Sequence, residues 1–151
     1  MTDAGTTIQA VADTIAEVRE HLSTFDDVTV NDDGSATLLW GSARVDVTVE
    51  VFDEDQSVVQ VAATCVTGAT PSSELYEHIA TSSLDLGHFS VVPEDGGTVA
   101  IVISHGLIGE FLNPAELRMT IVAVAHEADT TDDELASRFG GTVYAVDGNR
   151  A

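Results

Sequence analysis

The sequence predicts an α+β fold, an antiparallel five-stranded sheet packed with helices in the order α-β-β-β-α-β-β-α. Three patterns carry that expectation. Ile8, Val11, Ile15, Val18 and Leu22 recur three and four apart, which puts them on one stripe of a helix. Val45, Val47, Val49 and Val51 alternate with Arg44, Asp46, Thr48 and Glu50, the period of a strand with one wet face. Near the end, Asn113, Pro114 and Glu116 open a run whose stripe is Leu117, Ile121, Val124, Ala128 and Leu135, and Gly140 and Gly141 close it.

The elements follow in order. Thr6 and Gln9 form a capping-box pattern for the first helix. A first strand, or a bent pair, spans Val28 to Gly41 around the turn at Asp32, Asp33 and Gly34; a second covers Ala43 to Val51. The acidic turn Asp53, Glu54, Asp55 leads into a third from Ser57 to Val66, so these strands form antiparallel hairpins. Thr70, Pro71 and Ser72 open a short helix through Leu75, Tyr76 and Ile79, with Pro71 in its first turn. His88 to Val92 and Thr98 to His105 make a hairpin, joined by Pro93, Glu94, Asp95, Gly96 and Gly97. The last helix crosses a low-propensity stretch, Asp129 to Asp133, where continuity with some local distortion is expected. Residues 1–141 are read as one domain and 142–151 as a C-terminal tail.

Charge is the strongest compositional signal. The 151 residues hold 26 Asp and Glu against 5 arginines and no lysine, a formal net charge of −21. Arg19, Arg44, Arg118, Arg138 and Arg150 are spread along the chain and form no basic patch, so a nucleic acid, whose binding needs many cations to displace counterions, is excluded as a partner. An anionic membrane repels such a surface too, and no apolar run reaches spanning length. The acidity reads either as a solubility device or, more sharply, as steering of a basic partner. Cys65 stands alone, so no intramolecular disulfide forms, and the cytoplasm is the default compartment.

Reactive groups do not fall into catalytic spacings. His126-Glu127 begins like a metalloprotease helix, but Thr130 stands where the second histidine must lie. Ser104 and His105 are neighbours on a strand and point to opposite faces, so they cannot be nucleophile and base; His105 reads instead as a hydrogen-bonded structural histidine. Asp53 and Asp55 start like a calcium loop, yet the twelfth position is Thr64 and no glycine occupies the sixth; Asn31, Asp32 and Asp33 do no better. The absence of lysine removes a P-loop and any lysine Schiff base, and Gly106 and Gly109 lack dinucleotide-loop spacing. Cys65 has no basic neighbour to activate it and reads as a small buried hydrophobe. The expectation is therefore no catalytic residues, no metal and no cofactor.

Four blocks, Glu74 to Ala80, Gly87 to Val91, His105 to Arg118 and Asp132 to Gly141, together resemble the YbjN domain family, bacterial relatives of the type III secretion chaperones of the CesT kind. Their order and spacing agree with that family. Ile108 departs from it, standing where members often have Pro before the Gly. The resemblance implies a compact domain, often dimeric, that binds peptides or partly unfolded proteins and carries no catalytic residues.

Two strands are apolar on both faces. Val99, Ile101 and Ile103 alternate with Ala100 and Val102; Val59, Val61 and Ala63 alternate with Val58 and Ala62. One helical layer covers one face, so the other meets a twin subunit or a client, unless these are simply central strands of a bent sheet. The expected contact surface is Val58, Ala62 and Val102 with the apolar loop Leu107, Ile108, Phe111 and Leu112, and the expected state is a homodimer holding a protein or peptide client with basic stretches. The competing readings are a metal-assisted or acid/base hydrolase built from His88, His105 and carboxylates across the strands, and a purely structural assembly subunit.

Overall fold

The computed structural model of the chain describes residues 4–40 and 43–144, the side chains of 4–8 excepted. Three helices, α1 (Ala4–Leu22), α2 (Ser73–Thr81) and α3 (Pro114–Phe139), accompany seven strands: β1 (Val28–Val30), β2 (Ala36–Trp40), β3 (Ala43–Asp53), β4 (Gln56–Ala69), β5 (His88–Pro93), β6 (Val99–Ile108) and β7 (Thr142–Val143). They form one antiparallel sheet in the order β1-β2-β3-β4-β6-β5, with β7 beside β4. The α+β class and the antiparallel sheet agree with the sequence; the count of five strands and the order built on it do not.

The two additional strands have local causes. Asn31 to Ser35 is a complete hairpin turn: the Asn31 N–H donates to the Ser35 carbonyl, and the Asp33 carboxylate accepts both the Ser35 hydroxyl and its N–H. Those bonds hold the Asp33 carboxyl below its ordinary pKa, the hydroxyl contributing most. The stretch expected as one strand or a bent pair is thus two strands, with Thr29 opposite Thr37. The other strand follows α3. Gly140 and Gly141 both have φ near the left-handed region, 79° and 85°, and turn the chain so that Thr142 and Val143 pair with Thr67 and Val66 of β4. A Cβ on Gly141 would collide with the Thr67 carbonyl oxygen. Tyr144 continues the docking by donating its N–H to the Cys65 carbonyl, so residues read as tail are paired to the sheet; 145–151 lie outside the described residues.

Helix signals were legible with small shifts. The first helix begins at Ala4, two residues before Thr6, so the capping box does not mark its start; Gln9 donates instead to Asp13 one turn on. Pro71 precedes the N-cap, which is Ser72, whose hydroxyl accepts the Leu75 N–H. Asn113 caps α3 by accepting the N–H groups of Ala115 and Glu116. That helix runs unbroken for 26 residues through the Asp129–Asp133 stretch, where the Thr130 and Thr131 hydroxyls bond back to the carbonyls of His126 and Glu127. No helix among the described residues is long and apolar enough to cross a membrane.

All three helices lie on one face of the sheet. Val18 and Leu22 of α1, and Leu117, Ile121, Val124 and Leu135 of α3, share a core with Val45, Val47, Val59, Val61, Ala63, Ile101 and Ile103. Leu75 of α2 joins it, and the His78 ring lies near both Phe89 and Phe139. Arg138 binds α2 to α3, donating to His78 Nδ1 at 3.2 Å and to Glu74 Oε1 at 3.3 Å.

Candidate functional site

On β4 the period-two rule divides residues cleanly: Ser57, Val59, Val61, Ala63 and Cys65 are buried beneath the helices, whereas Val58, Gln60, Ala62 and Thr64 are half-buried on the other face. The neighbouring β6 repeats the division, with Ile101 and Ile103 wholly buried and Val102 and Ser104 half-exposed. Among the described residues no helix or strand covers this second face. β4 and β6 are also both interior strands of the sheet, so the two-sided apolar pattern marks interior strands and an uncovered face at once.

Strand register sets the chemistry of this open face in rows. Thr37, Asp46, Ala62, Ser104 and His88 stand across from one another in one row; Glu50, Val58 and Ile108 form another. One end is polar and self-satisfied: Asp46 accepts the Thr37 hydroxyl at 2.8 Å and pairs with Arg44 at 3.4 Å, and the Arg44 Nη1 donates to the Tyr144 hydroxyl at 2.8 Å. The other end is apolar and unfinished. Ile108 is 42% exposed on this face; at the same end of the sheet Phe52 is 61% exposed and Phe111, in the turn after β6, 80%, while Val51, opposite Ser57 and so on the helix face, is 56% exposed.

Each residue expected at the contact surface can now be placed. Val58, Ala62 and Val102 lie together on the open face, and Ile108 joins Val58 in the same row. Leu107 is a correction: its side chain alternates onto the helix face, is 6% exposed and belongs to the core. Leu112 packs partly against that core, leaving Phe111 as the loop residue that projects. The departure at Ile108 costs the loop nothing, because its φ of −71° is the value a proline ring would impose. Sequence reasoning missed Phe52 and Val51. The signal was present, two successive large apolar residues running straight into an acidic turn, of which strand geometry can bury only one.

The residues considered for catalysis do not converge. His88 is exposed on the open face opposite Ser104, while His105 sits on the helix face opposite Val61. The His105 ring makes no hydrogen bond among the described residues, in contrast to the hydrogen-bonded structural role expected of it. His126 is exposed on α3. Cys65 is 1% exposed, and burial first, with the Asp132 carboxylate second, pushes its thiol up to about 12, so it is inert as a nucleophile.

Comparison with known proteins agrees with this geometry. The sequence matches, over residues 6–147, the family described as T3SS (YopN, CesT) and YbjN peptide-binding chaperone 1, TY-Chap1. No curated protein matches it. Among solved structures, a chain in the crystal structure of the ExsC–ExsE complex superposes with a TM-score of 0.51 at 15% identity, over 89% of this chain and 97% of that one. At that identity the likeness speaks for the fold alone.

Proposed function

The chain belongs to this family of T3SS and YbjN peptide-binding chaperones, and we propose that it holds an extended or partly unfolded segment of a client protein against the open face of its sheet, in the cytoplasm and without catalysis. The observation that carries the reading is the uncovered face itself, with Val58, Ala62 and Val102 half-exposed at its centre and every helix on the opposite side. Apolar surface of this kind on interior strands is stabilised by being covered, and side chains alternating along a bound strand meet it at matching spacing. The neighbour of the same fold stands in a complex of two proteins, ExsC and ExsE, and a comparable use of the fold supports the proposal. A homodimer belongs to the same reading, since a symmetric partner is the other means of covering apolar surface.

The test uses the whole chain and a fluorescein-labelled peptide of alternating Leu and Ser as probe. Binding is measured by fluorescence anisotropy on the natural protein and on Val102→Arg, with circular dichroism on the same samples. The expected result is a folded variant that binds about tenfold or more weakly, as when one central contact residue is lost. Unchanged binding by a folded variant removes the face from the proposal. Light scattering after gel filtration decides the dimer, a monomer mass at micromolar concentration ending that part.

A further inference from the structure

Four of the exposed large apolar side chains, Val51, Phe52, Ile108 and Phe111, lie where β3 ends, β4 begins and β6 runs into the Gly109–Phe111 turn, and hydrogen bonds hold that junction together. Ser57, the second residue of β4, is wholly buried there, with its N–H and its hydroxyl donating to the Glu110 carboxylate at 2.7 and 3.0 Å. Its hydroxyl also lies 2.7 Å from that of Thr14 on α1, which in turn bonds to the Ala10 carbonyl. Gly109 packs so closely on Ser57 Oγ and Thr14 that no Cβ fits. The turn Gly109–Phe111 is therefore clamped to α1 and β4, and Phe111 is held out into solvent by construction. Val51, at the end of β3, stands opposite Ser57, and Phe52 follows it; Ile108 closes the row of Glu50 and Val58.

Charge around this tip has one sign. Glu50 stands in the row of Val58 and Ile108, Asp53, Glu54 and Asp55 follow Phe52 in the chain, Glu110 precedes Phe111 and bonds to Ser57, and between Arg44 and Arg118 the sequence contains neither lysine nor arginine. Two copies of a chain with net charge −21 meeting at this acidic tip would repel each other. We infer that the tip formed by Phe52, Ile108 and Phe111 with these carboxylates is a docking site for a basic, apolar segment of a partner protein, one carrying large apolar side chains beside arginine or lysine. The inference rests on the reading of the chain as a client-binding protein and names the chemistry of the client. Phe52 and Phe111 act as the anchors, and the carboxylates reject acidic segments and guide basic ones. The tip lies six residues along β6 from Val102, roughly 20 Å, so the two surfaces can be disabled separately.

Three labelled peptides serve as probes: one alternating Phe with Arg, one in which Glu replaces every Arg, and one in which Ser replaces every Phe. They are titrated into the natural chain, the double variant Phe52→Ser/Phe111→Ser, and Val102→Arg. Both phenylalanines are exposed, so the double variant keeps its fold, which its thermal melt checks. The natural chain is expected to bind only the Phe/Arg peptide; the double variant should bind it about tenfold or more weakly, and added salt should weaken it further. A double variant that binds as the natural chain does, while Val102→Arg fails, overturns the tip and leaves the open-face reading standing. Loss of binding in neither variant overturns both. Equal binding of the Glu peptide overturns the charge assignment. A dimer that dissociates in the double variant, or binding to zwitterionic lipid vesicles that depends on Phe52 and Phe111, overturns the inference by giving the tip another occupant.

Discussion

Ile103 and Val102 are neighbours in sequence, both β-branched and both on an interior strand, yet one is wholly buried and the other half-exposed. The same contrast separates Cys65 from Thr64 on β4. The helix face of the sheet is a finished core, and the opposite face is the same strands without a lid. The difference teaches that apolar residue type on a strand reports the strand's interior position, while its role depends on which face received the helices.

The largest effect should come from testing that contrast directly. Ile103→Asp places an unpaired carboxylate between Ala63 and Phe89 beneath α3, at a cost of several kcal/mol, about the whole stability of a domain, so the far-ultraviolet circular dichroism should show an unfolded chain. Val102→Asp should remain folded and lose less than about 1 kcal/mol in urea titration, as surface substitutions do. Equal losses at the two positions would break the comparison.

Thiol chemistry sharpens it next. Cys65 should react with a chromogenic disulfide reagent only on unfolding, whereas Thr64→Cys adds a thiol on the open face that reacts at least about a hundredfold faster in the folded protein. Similar rates at both positions would mean the helix face opens as readily as the other is exposed.

A third substitution probes the clamp that joins the two faces at the tip. Gly109→Ala forces a methyl group against Ser57 and Thr14 and should destabilise by about 1–3 kcal/mol, seen as a lower midpoint in urea. A neutral result would show the Gly109–Phe111 turn to be loosely held.

The smallest effect concerns Asp132, on the helix that forms the lid. Partial burial is the main cause raising its pKa, with Asp133 and Asp129 adding repulsion. An acid raised in this way makes folding bind a proton, so stability is higher below the unfolded pKa and falls as pH rises through the folded one. Asp132→Asn removes the charge and should stabilise the protein at neutral pH by about 0.5 kcal/mol or less, given solvent screening. The gain should vanish in acid; a gain that persists there would assign it to something other than charge.

Much of this was legible in the sequence, and for local reasons. The Asn113 cap, the valine alternation of β3 and the burial of Cys65 each depend on neighbours within a turn or two. Among the expected contact residues, Val58, Ala62 and Val102 are half-exposed because alternation counts faithfully from any buried neighbour, and Ile108 and Phe111, expected as part of an apolar loop, are exposed. Leu107 was misplaced because an apolar loop was treated as one unit, although its first residues still belong to the strand. The division of 28–41 into two strands turned on a hairpin closed by the Asp33 side chain, and β7 on a reversal at two glycines, features whose outcome depends on the strand waiting to receive the chain.

By itself the sequence determined the helices, the two alternating sets of residues on the long strands, the cap of α3 and the acidic composition, because each is set by short-range sterics, hydrogen bonding and composition. On β4 and β6, where both sets are apolar, it left open whether the set of Val58, Ala62 and Val102 would be covered as well, since a period of two is symmetric between faces. Only the tertiary structure decided that, by landing α1, α2 and α3 on the side of Val59, Val61, Ile101 and Ile103, threading β6 between β4 and β5, and docking Thr14 on Ser57. Long-range packing breaks the symmetry, and it is what leaves Val58, Ala62 and Val102 uncovered and Phe52 and Phe111 at the tip in water.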